Sequence, residues 1–355
     1  MFSYRHAKFQ APLARLRSAA ASMWRAGWSA AGKYQPLTPA EKAFTFGDKV
    51  PFNGDRPLTS GNDNYQHRLS FRTPRPQFEN VDDLIVTPLG ASWKNGRLYE
   101  KYSSCTPGLR MLAASNNPQA EVEEGYFIQS EHVDTFGDWM SEYLSPLSTL
   151  LEIDAPVYLP QSFAAKPYVG RDAARLGIDF VPLTQPLRIR KAKVLRQQRC
   201  IRYWRVAEVE GLRRFLKVDA PTAAPGSTLY LSRHGEASEV ADRTHPNLLI
   251  EEIVKGRGGR VLRTKDAELE DYLNAAQSAE TLLFDHGSAA YNMVYWRPKR
   301  IIEFVSDAWW MNSFLFFADA SGVRDYSILC SDQHDAEELS KRLHAMLDLP
   351  IEEAG

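Results

Sequence analysis

Four residues in the C-terminal half of the chain have the types and spacing to hold a phosphorylated ligand: Arg233, Thr264, His286 and Glu303. Each closes or follows a short apolar run: Tyr230-Leu-Ser-Arg233, Arg260-Val-Leu-Arg-Thr264, Leu282-Leu-Phe-Asp-His286 and Arg300-Ile-Ile-Glu303. A guanidinium grips two phosphate oxygens at once, so Arg233 suits a phosphate; its ordinary alternative is an ion pair with a nearby carboxylate. His286-Gly287-Ser288 is expected where a strand turns into a helix. Gly287 then lets a ligand approach the backbone, and the next free N–H groups face it with the positive end of the helix dipole. Ser288 is placed to cap that helix or bond a phosphate oxygen. His286 is placed to donate to the ligand, or else serves as a satisfied structural residue, and Asn292, one turn on, would fix the loop. An acid in the position of Glu303 holds ribose hydroxyls in dinucleotide folds, with a surface position as the alternative. Thr264 and Lys265 line the same edge and would touch a base or its phosphates.

The elements that position these residues follow from periodicity. From Tyr230 to Phe304 the chain reads strand–helix–strand–helix–strand–helix–strand, which indicates a parallel sheet with right-handed crossovers. In such sheets ligands bind just outside the carboxyl ends of the strands, so the four residues are expected to converge on one crevice. A last strand is expected at Tyr326–Leu329 and an amphipathic helix at Glu337–Leu347. Upstream, strands are expected at Leu84–Thr87, Arg97–Tyr99, Gly125–Gln129, Pro156–Leu159, Phe180–Val181 and Leu187–Leu195. Helices are expected at Phe136–Leu151 and Ala164–Leu176, with a bridging helix at Val206–Leu216. Residues 35–80, rich in Pro, Gly, Asn and Asp, read as an extended lead-in. The pattern divides into a basic segment 1–40, an α/β domain 41–204, a second α/β domain 205–335 and a C-terminal helix 336–355.

The same motifs carry a family resemblance. Ser232-Arg233, Asn247, Asp285-His286-Gly287-Ser288-Ala289 with Asn292, and Glu303 occur in the order and spacing of the family 61 glycosyltransferases. Leu248 stands where that family usually has Glu. The resemblance implies a GT-B fold, two Rossmann-like doubly wound domains facing a cleft, with the nucleotide-sugar donor in the C-terminal domain and the acceptor in the N-terminal one. It implies a metal-independent transferase (EC 2.4 class) that inverts the anomeric centre, needs no cofactor, and transfers to a glycan or lipid-linked acceptor in surface polysaccharide synthesis. Arg233, Thr264, Lys265, His286, Gly287, Ser288, Asn292 and Glu303 would then bind the donor.

Such a reaction needs a base for the acceptor hydroxyl, expected from the N-terminal domain. Glu131 to Glu142 follows the Tyr126–Gln129 strand. Asp138 and Glu142 are spaced i, i+4 and share a helix face, where mutual repulsion would raise one carboxyl toward the range a base needs. Family members often read F-x-H-x-x-x-D here, which puts Asp138 at the His position and Glu142 at the Asp position. His132, with Asp134, is the alternative base. Acids at a helix N-terminus are also accounted for by the dipole alone. Two rival readings stay open: a pyruvyl-type transferase acting on glycans, and a degenerate member that binds glycan or scaffolds an assembly without turnover.

Composition narrows the remaining classes. The 355 residues, 44% hydrophobic, suffice for two α/β cores. A net charge of −1 gives no reason to expect a nucleic-acid partner. Cys105, Cys200 and Cys330 form no CxxC pair, which argues against a disulfide scaffold or zinc site and fits a reducing, cytoplasmic compartment. No transmembrane run or secretory signal is expected. The first acid is Glu41, while Arg5, Lys8, Arg15, Arg17, Arg25 and Lys33 precede it with Leu13, Leu16, Ala20, Trp24 and Trp28 at near-helical spacing. Residues 1–35 thus read as a peripheral contact with the inner membrane, a helix or tail docked on its own protein, or a transit peptide. The aromatic runs Tyr291–Trp296 and Trp309–Phe317 read chiefly as packing, with Trp309-Trp310 open as a rim of the cleft or membrane. HExxH, P-loop, GxSxG and EF-hand patterns do not occur.

Overall fold

The computed structural model describes residues 43–45, 52–54, 70–72, 77–88, 90, 92–95, 97–98, 117–128, 135–196, 204–219, 223–236, 245–306 and 313–351. The amphipathic segment 1–40, His132, Asp134 and Trp309-Trp310 lie outside them. The chain forms two compact units: Thr73–Cys200 belongs to one, and Ala43–Arg72 with Ile201–Gly355 to the other. Segment 43–72 is therefore grouped with the C-terminal unit, where the sequence pattern grouped it with the first. Among the described residues, no helix is long and apolar enough to cross a membrane.

Three short strands come first: β1 (Ala43–Thr45), β2 (Phe52–Gly54) and β3 (Ser70–Arg72). The first unit then builds a mixed sheet from β4 (Gln77–Val86), β5 (Ser92–Lys94), β6 (Arg97–Leu98), β7 (Ala120–Phe127), β8 (Val157–Pro160), β9 (Phe180–Leu183) and β10 (Leu187–Arg196). Their order is β6-β5-β4-β10-β7-β8-β9. Only β10, β7, β8 and β9 run parallel; β4, β5 and β6 form an antiparallel meander against β10. Sequence alternation led us to expect parallel strands throughout this unit. The overlooked signal is Asn95-Gly96, the strongest short hairpin dipeptide. Asn95 takes φ 52°, and Lys94 pairs with Arg97 across the turn. Val81, Leu84, Ile189, Ala192 and Val194 pack with Phe127, Tyr158 and Leu187 in one core, the alternation of β4 and β10 being broken where Asp83 and Arg190 drop out of the pairing.

The second unit matches the expected strand–helix alternation closely. Its strands are β11 (Thr228–Ser232), β12 (Arg260–Arg263), β13 (Thr281–Asp285), β14 (Arg300–Val305) and β15 (Asp325–Cys330). With β2 they make a six-stranded, wholly parallel sheet ordered β12-β11-β13-β14-β15-β2. The five C-terminal strands thus follow the order 2-1-3-4-5, and the order reverses between β11 and β13. β13 and β14 are buried at every position, as expected of strands covered on both faces. On one face, Tyr230, Leu283, Ile302, Phe304 and Leu329 pack with Ile250, Ile253 and Val254 of the Asn247–Gly256 helix and Leu339 and Leu343 of the Ala336–Asp348 helix. On the other, Phe284 meets Phe314 of the Ser313–Ala320 helix, whose Phe317 packs on Trp204.

Candidate functional site

The site is built where β11 and β13 end, at the point of strand-order reversal. β13 finishes at Asp285, and the alternation of a strand sends Asp285 and His286 to opposite faces of the sheet. One polar cluster therefore forms on each face.

On the face of the Asn247–Gly256 helix, Asp285 is the hub. It is fully buried, and its carboxylate accepts from Tyr230 Oη (2.7 Å), the Arg233 N–H (2.9 Å) and Asn247 Nδ2 (2.5 Å). Asn247 Nδ2 also donates to Tyr230 Oη at 2.9 Å. Burial pushes Asp285 up to about 6 against these donors, and burial with the Asp285 charge pushes Tyr230 well above its usual value. Sequence reading quoted Asp285 within a motif but gave it no role; the signal was an acid closing the apolar run Leu282-Leu-Phe. Next to it, Ser232 Oγ donates to Glu251 Oε1 at 2.9 Å. Arg263 takes both Glu251 oxygens at 2.9 and 2.7 Å and holds that carboxylate down to about 2 despite its burial.

On the opposite face, His286 and Glu303 form a buried pair. Their side chains are 4% and 0% exposed, with Nδ1 and Oε1 2.6 Å apart. Tyr326 Oη donates to the second oxygen, Oε2, at 2.7 Å. Glu303 is thus engaged on both oxygens within the core, which corrects the surface position offered as the alternative to its ribose-binding role. His286 Nε2 is buried with no hydrogen-bond partner. The ring stands edge-on to Phe314, with centroids 5.0 Å apart. The next strand ends lie alongside: Ser306 follows β14, and the Ser331 N–H bonds the Val305 carbonyl at 2.9 Å. Ser331 Oγ pairs with His245 Nδ1 at 2.7 Å. Burial, then the charges of His286 and Arg233, push His245 down to about 4.

Arg233 joins the two clusters. Its main chain serves Asp285, its Nη1 donates to the His286 carbonyl at 3.1 Å, and its Nε donates to Glu236 at 2.6 Å. The ion pair offered as the alternative role for Arg233 is therefore present. Gly287 allows this approach: it takes φ 154°, and a Cβ there would lie 2.5 Å from Arg233 Nη1. The turn leads into a 3₁₀ segment, Ser288–Tyr295, with Gly287 at its N-cap and no side-chain cap bond, so the expected capping by Ser288 is not made. Asn292 holds the Ala289 carbonyl at 2.9 Å, as a loop-fixing residue should. Thr264 is tied to the site by its N–H to the Ser232 carbonyl (2.9 Å) and by its hydroxyl to Glu236. Lys265 is exposed, its stem beside Gly235. Arg213, buried, braces the 3₁₀ segment by donating to the Val294 and Trp296 carbonyls at 3.1 and 2.8 Å.

The acids expected as base sit in the first unit. Thr135 and Asp138 form a reciprocal capping box: Asp138 Oδ2 accepts from the Thr135 N–H (3.0 Å) and hydroxyl (2.8 Å), and Thr135 Oγ1 accepts from the Asp138 N–H. Asp138 is buried by that role, which matches the helix-terminus account of this acid. Glu142 is buried on a π-helical turn, Trp139–Leu144, inside what sequence suggested was a plain α-helix. Trp139 Nε1 anchors the turn by donating to buried Asp172 at 2.8 Å. Among the described residues, no group of three or more His, Cys, Asp or Glu is placed to hold a metal.

Comparison with known protein families and with curated protein sequences finds no match.

Proposed function

We infer that the chain is a glycosyltransferase whose nucleotide-sugar donor is held at the carboxyl edge of the second sheet. One observation carries this reading. Ser232-Arg233, Asn247, Asp285-His286-Gly287 and Glu303, the motif residues of the family resemblance, are dispersed in sequence yet joined here around a strand-order reversal. Open α/β sheets bind their ligands at that point. The Arg233 guanidinium and the main-chain N–H groups after Gly287 supply positive potential for a diphosphate, which competes with Glu236 for the guanidinium. Thr264 and Lys265 extend the edge toward the nucleoside.

In the same reading the units adopt the GT-B arrangement. The first receives a glycan or lipid-linked acceptor, transfer proceeds with inversion and without a metal, and residues 1–35 keep the enzyme at a membrane surface. The test is a thermal-shift screen with UDP, GDP, CMP and their sugar conjugates, with and without EDTA. A ligand that binds only the native state raises the melting temperature by mass action, by about 2.7 kcal/mol of stability at a hundredfold excess over Kd. A shift with one nucleotide, unchanged by EDTA and lost in Arg233→Ala, supports the reading. No shift with any of them, together with binding of phosphoenolpyruvate, turns it toward a pyruvyl-type transferase.

A further inference from the structure

Within the glycosyl-transfer reading, we propose that His286 is the proton acceptor of the reaction, receiving the acceptor hydroxyl's proton on Nε2, with Glu303 and Tyr326 as positioning residues. The argument begins with hydrogen-bond direction. Tyr326 Oη has one proton and donates it to Glu303 Oε2 at 2.7 Å. Burial and the Glu303 charge hold that phenol well above its usual value, so it stays a donor. Glu303, accepting from Tyr326 on one oxygen, meets His286 Nδ1 on the other at 2.6 Å. A carboxylate facing Nδ1 selects the Nδ1–H tautomer, as the buried Asp does in a Ser-His-Asp triad. The remaining lone pair is then on Nε2, which is buried and has no hydrogen-bond partner.

A buried polar nitrogen without a partner is uncommon and calls for an explanation. Here the neighbouring groups supply one. Ser306 Oγ, one residue past β14, and Ser313 Oγ, beside the Phe314 that contacts the imidazole, are likewise buried without partners. Three such atoms, two just past strand ends and one at the start of the helix that carries Phe314, suit a ligand rich in hydroxyl groups. Arg233, whose Nη1 bonds the His286 carbonyl at 3.1 Å, sets the guanidinium that would bind the diphosphate next to the same residue. Phosphate binding and proton removal are therefore assembled within one unit. Asp138, the acid expected as base, lacks this geometry: it is committed to its capping box with Thr135.

The step balances as follows. The acceptor O–H bond breaks and its proton passes to Nε2, giving an imidazolium facing Glu303. The acceptor oxygen forms the new bond to the anomeric carbon. The bond from that carbon to the phosphate oxygen breaks, and its electron pair leaves with the nucleoside diphosphate.

Among the described residues, the charged and titratable groups near the imidazole are Glu303 on β14, Tyr326 on β15, Arg233 after β11, Asp285 on β13 and His245 before the Asn247–Gly256 helix. The experiment uses the full chain with the nucleotide sugar that the thermal-shift screen selects. His286→Gln should keep the nucleotide-induced shift, lose about 10²–10⁴-fold in kcat, and lose the rise of rate with pH that an imidazole base imposes. Glu303→Gln offers Nδ1 an amide proton, inverts the tautomer and should lose a comparable factor. In the wild-type chain, ¹⁵N NMR of His286 should show Nδ1 protonated and Nε2 bare, a readout independent of turnover and of variant folding. A protonated Nε2 with a bare Nδ1 would overturn the proposal. So would a His286→Gln enzyme that binds the nucleotide and turns over within a few-fold of wild type. Absence of any nucleotide-induced shift in the wild-type chain would instead remove the glycosyl-transfer reading, and the proposal with it.

Discussion

Replacing Gly287 by alanine probes the turn that brings Arg233 against His286. Two costs can be separated. The first is backbone: φ 154° with ψ 176° lies in a region reserved for glycine, and a side chain held there costs about 1–3 kcal/mol. The second is contact: the new Cβ would stand 2.5 Å from Arg233 Nη1 and 3.3 Å from Cζ. The obstructing atoms are the far end of a flexible side chain, so the guanidinium moves instead of the backbone, losing its bond to the His286 carbonyl. A hydrogen bond to a charged group contributes about 1.5–3 kcal/mol, and the partial exposure of Arg233 reduces that toward about 1 kcal/mol. Gly287→Ala should therefore destabilise the second unit by about 2–4 kcal/mol. The assay is urea unfolding combined with amide exchange at β13 and β14, which reports this unit separately. In an Arg233→Ala background the Cβ meets no guanidinium, so the same substitution should cost about 1 kcal/mol less. A total below about 0.5 kcal/mol, or an unchanged cost in the Arg233→Ala background, would refute the reasoning.

Two further outcomes follow from the clusters. Thr135→Ala removes half of the capping box and should cost about 1 kcal/mol, seen as faster amide exchange confined to residues 136–147; unchanged exchange there would contradict the capping role. The buried titrating groups should give stability slopes of opposite sign. His245, held down to about 4, stabilises the fold fully above its unfolded value near 6.5, and this contribution is lost as pH falls through 4. Asp285, raised to about 6, contributes fully below its unfolded value near 3.9 and loses that contribution as pH rises through 6. Between pH 4 and 6 the two oppose each other. His245→Gln should leave a chain that loses stability as pH rises over that window, and Asp285→Asn one that gains it. Slopes of the same sign in the two variants, measured by denaturation across a buffer series, would exclude this account.

The second unit was legible because its strands are short apolar runs ending in a polar residue, separated by helices with a clear period. Periodicity locates such elements but does not order the strands. That Arg233 and Asp285 lie side by side depends on β11 pairing with β13 as well as β12, which no local pattern specifies. The same limit explains Glu303. Its place near a strand end suggested a ligand contact, but alternation points it inward, between His286 after β13 and Tyr326 on β15. In the first unit the hairpin at Asn95-Gly96 carried a readable turn signal that was outweighed by the α/β alternation downstream. The π-helical turn at Trp139–Leu144 had no such signal, because its hydrogen-bond register is set by tertiary anchors such as the Trp139–Asp172 bond.

The pairing of β2 with β15 has a consequence for how the chain is made. Tyr326 lies opposite Phe52, and Thr73–Cys200 of the first unit lies between them in sequence. A strand synthesised near the start waits for a partner synthesised near the end, so β15 emerges as a bare sheet edge until β2 closes over it. Such long-range closure is slow relative to the local helix–strand pairings around it. A fragment beginning after residue 200 would carry that edge permanently, and its hydrogen-bonding row would invite a second fragment to pair in place of β2.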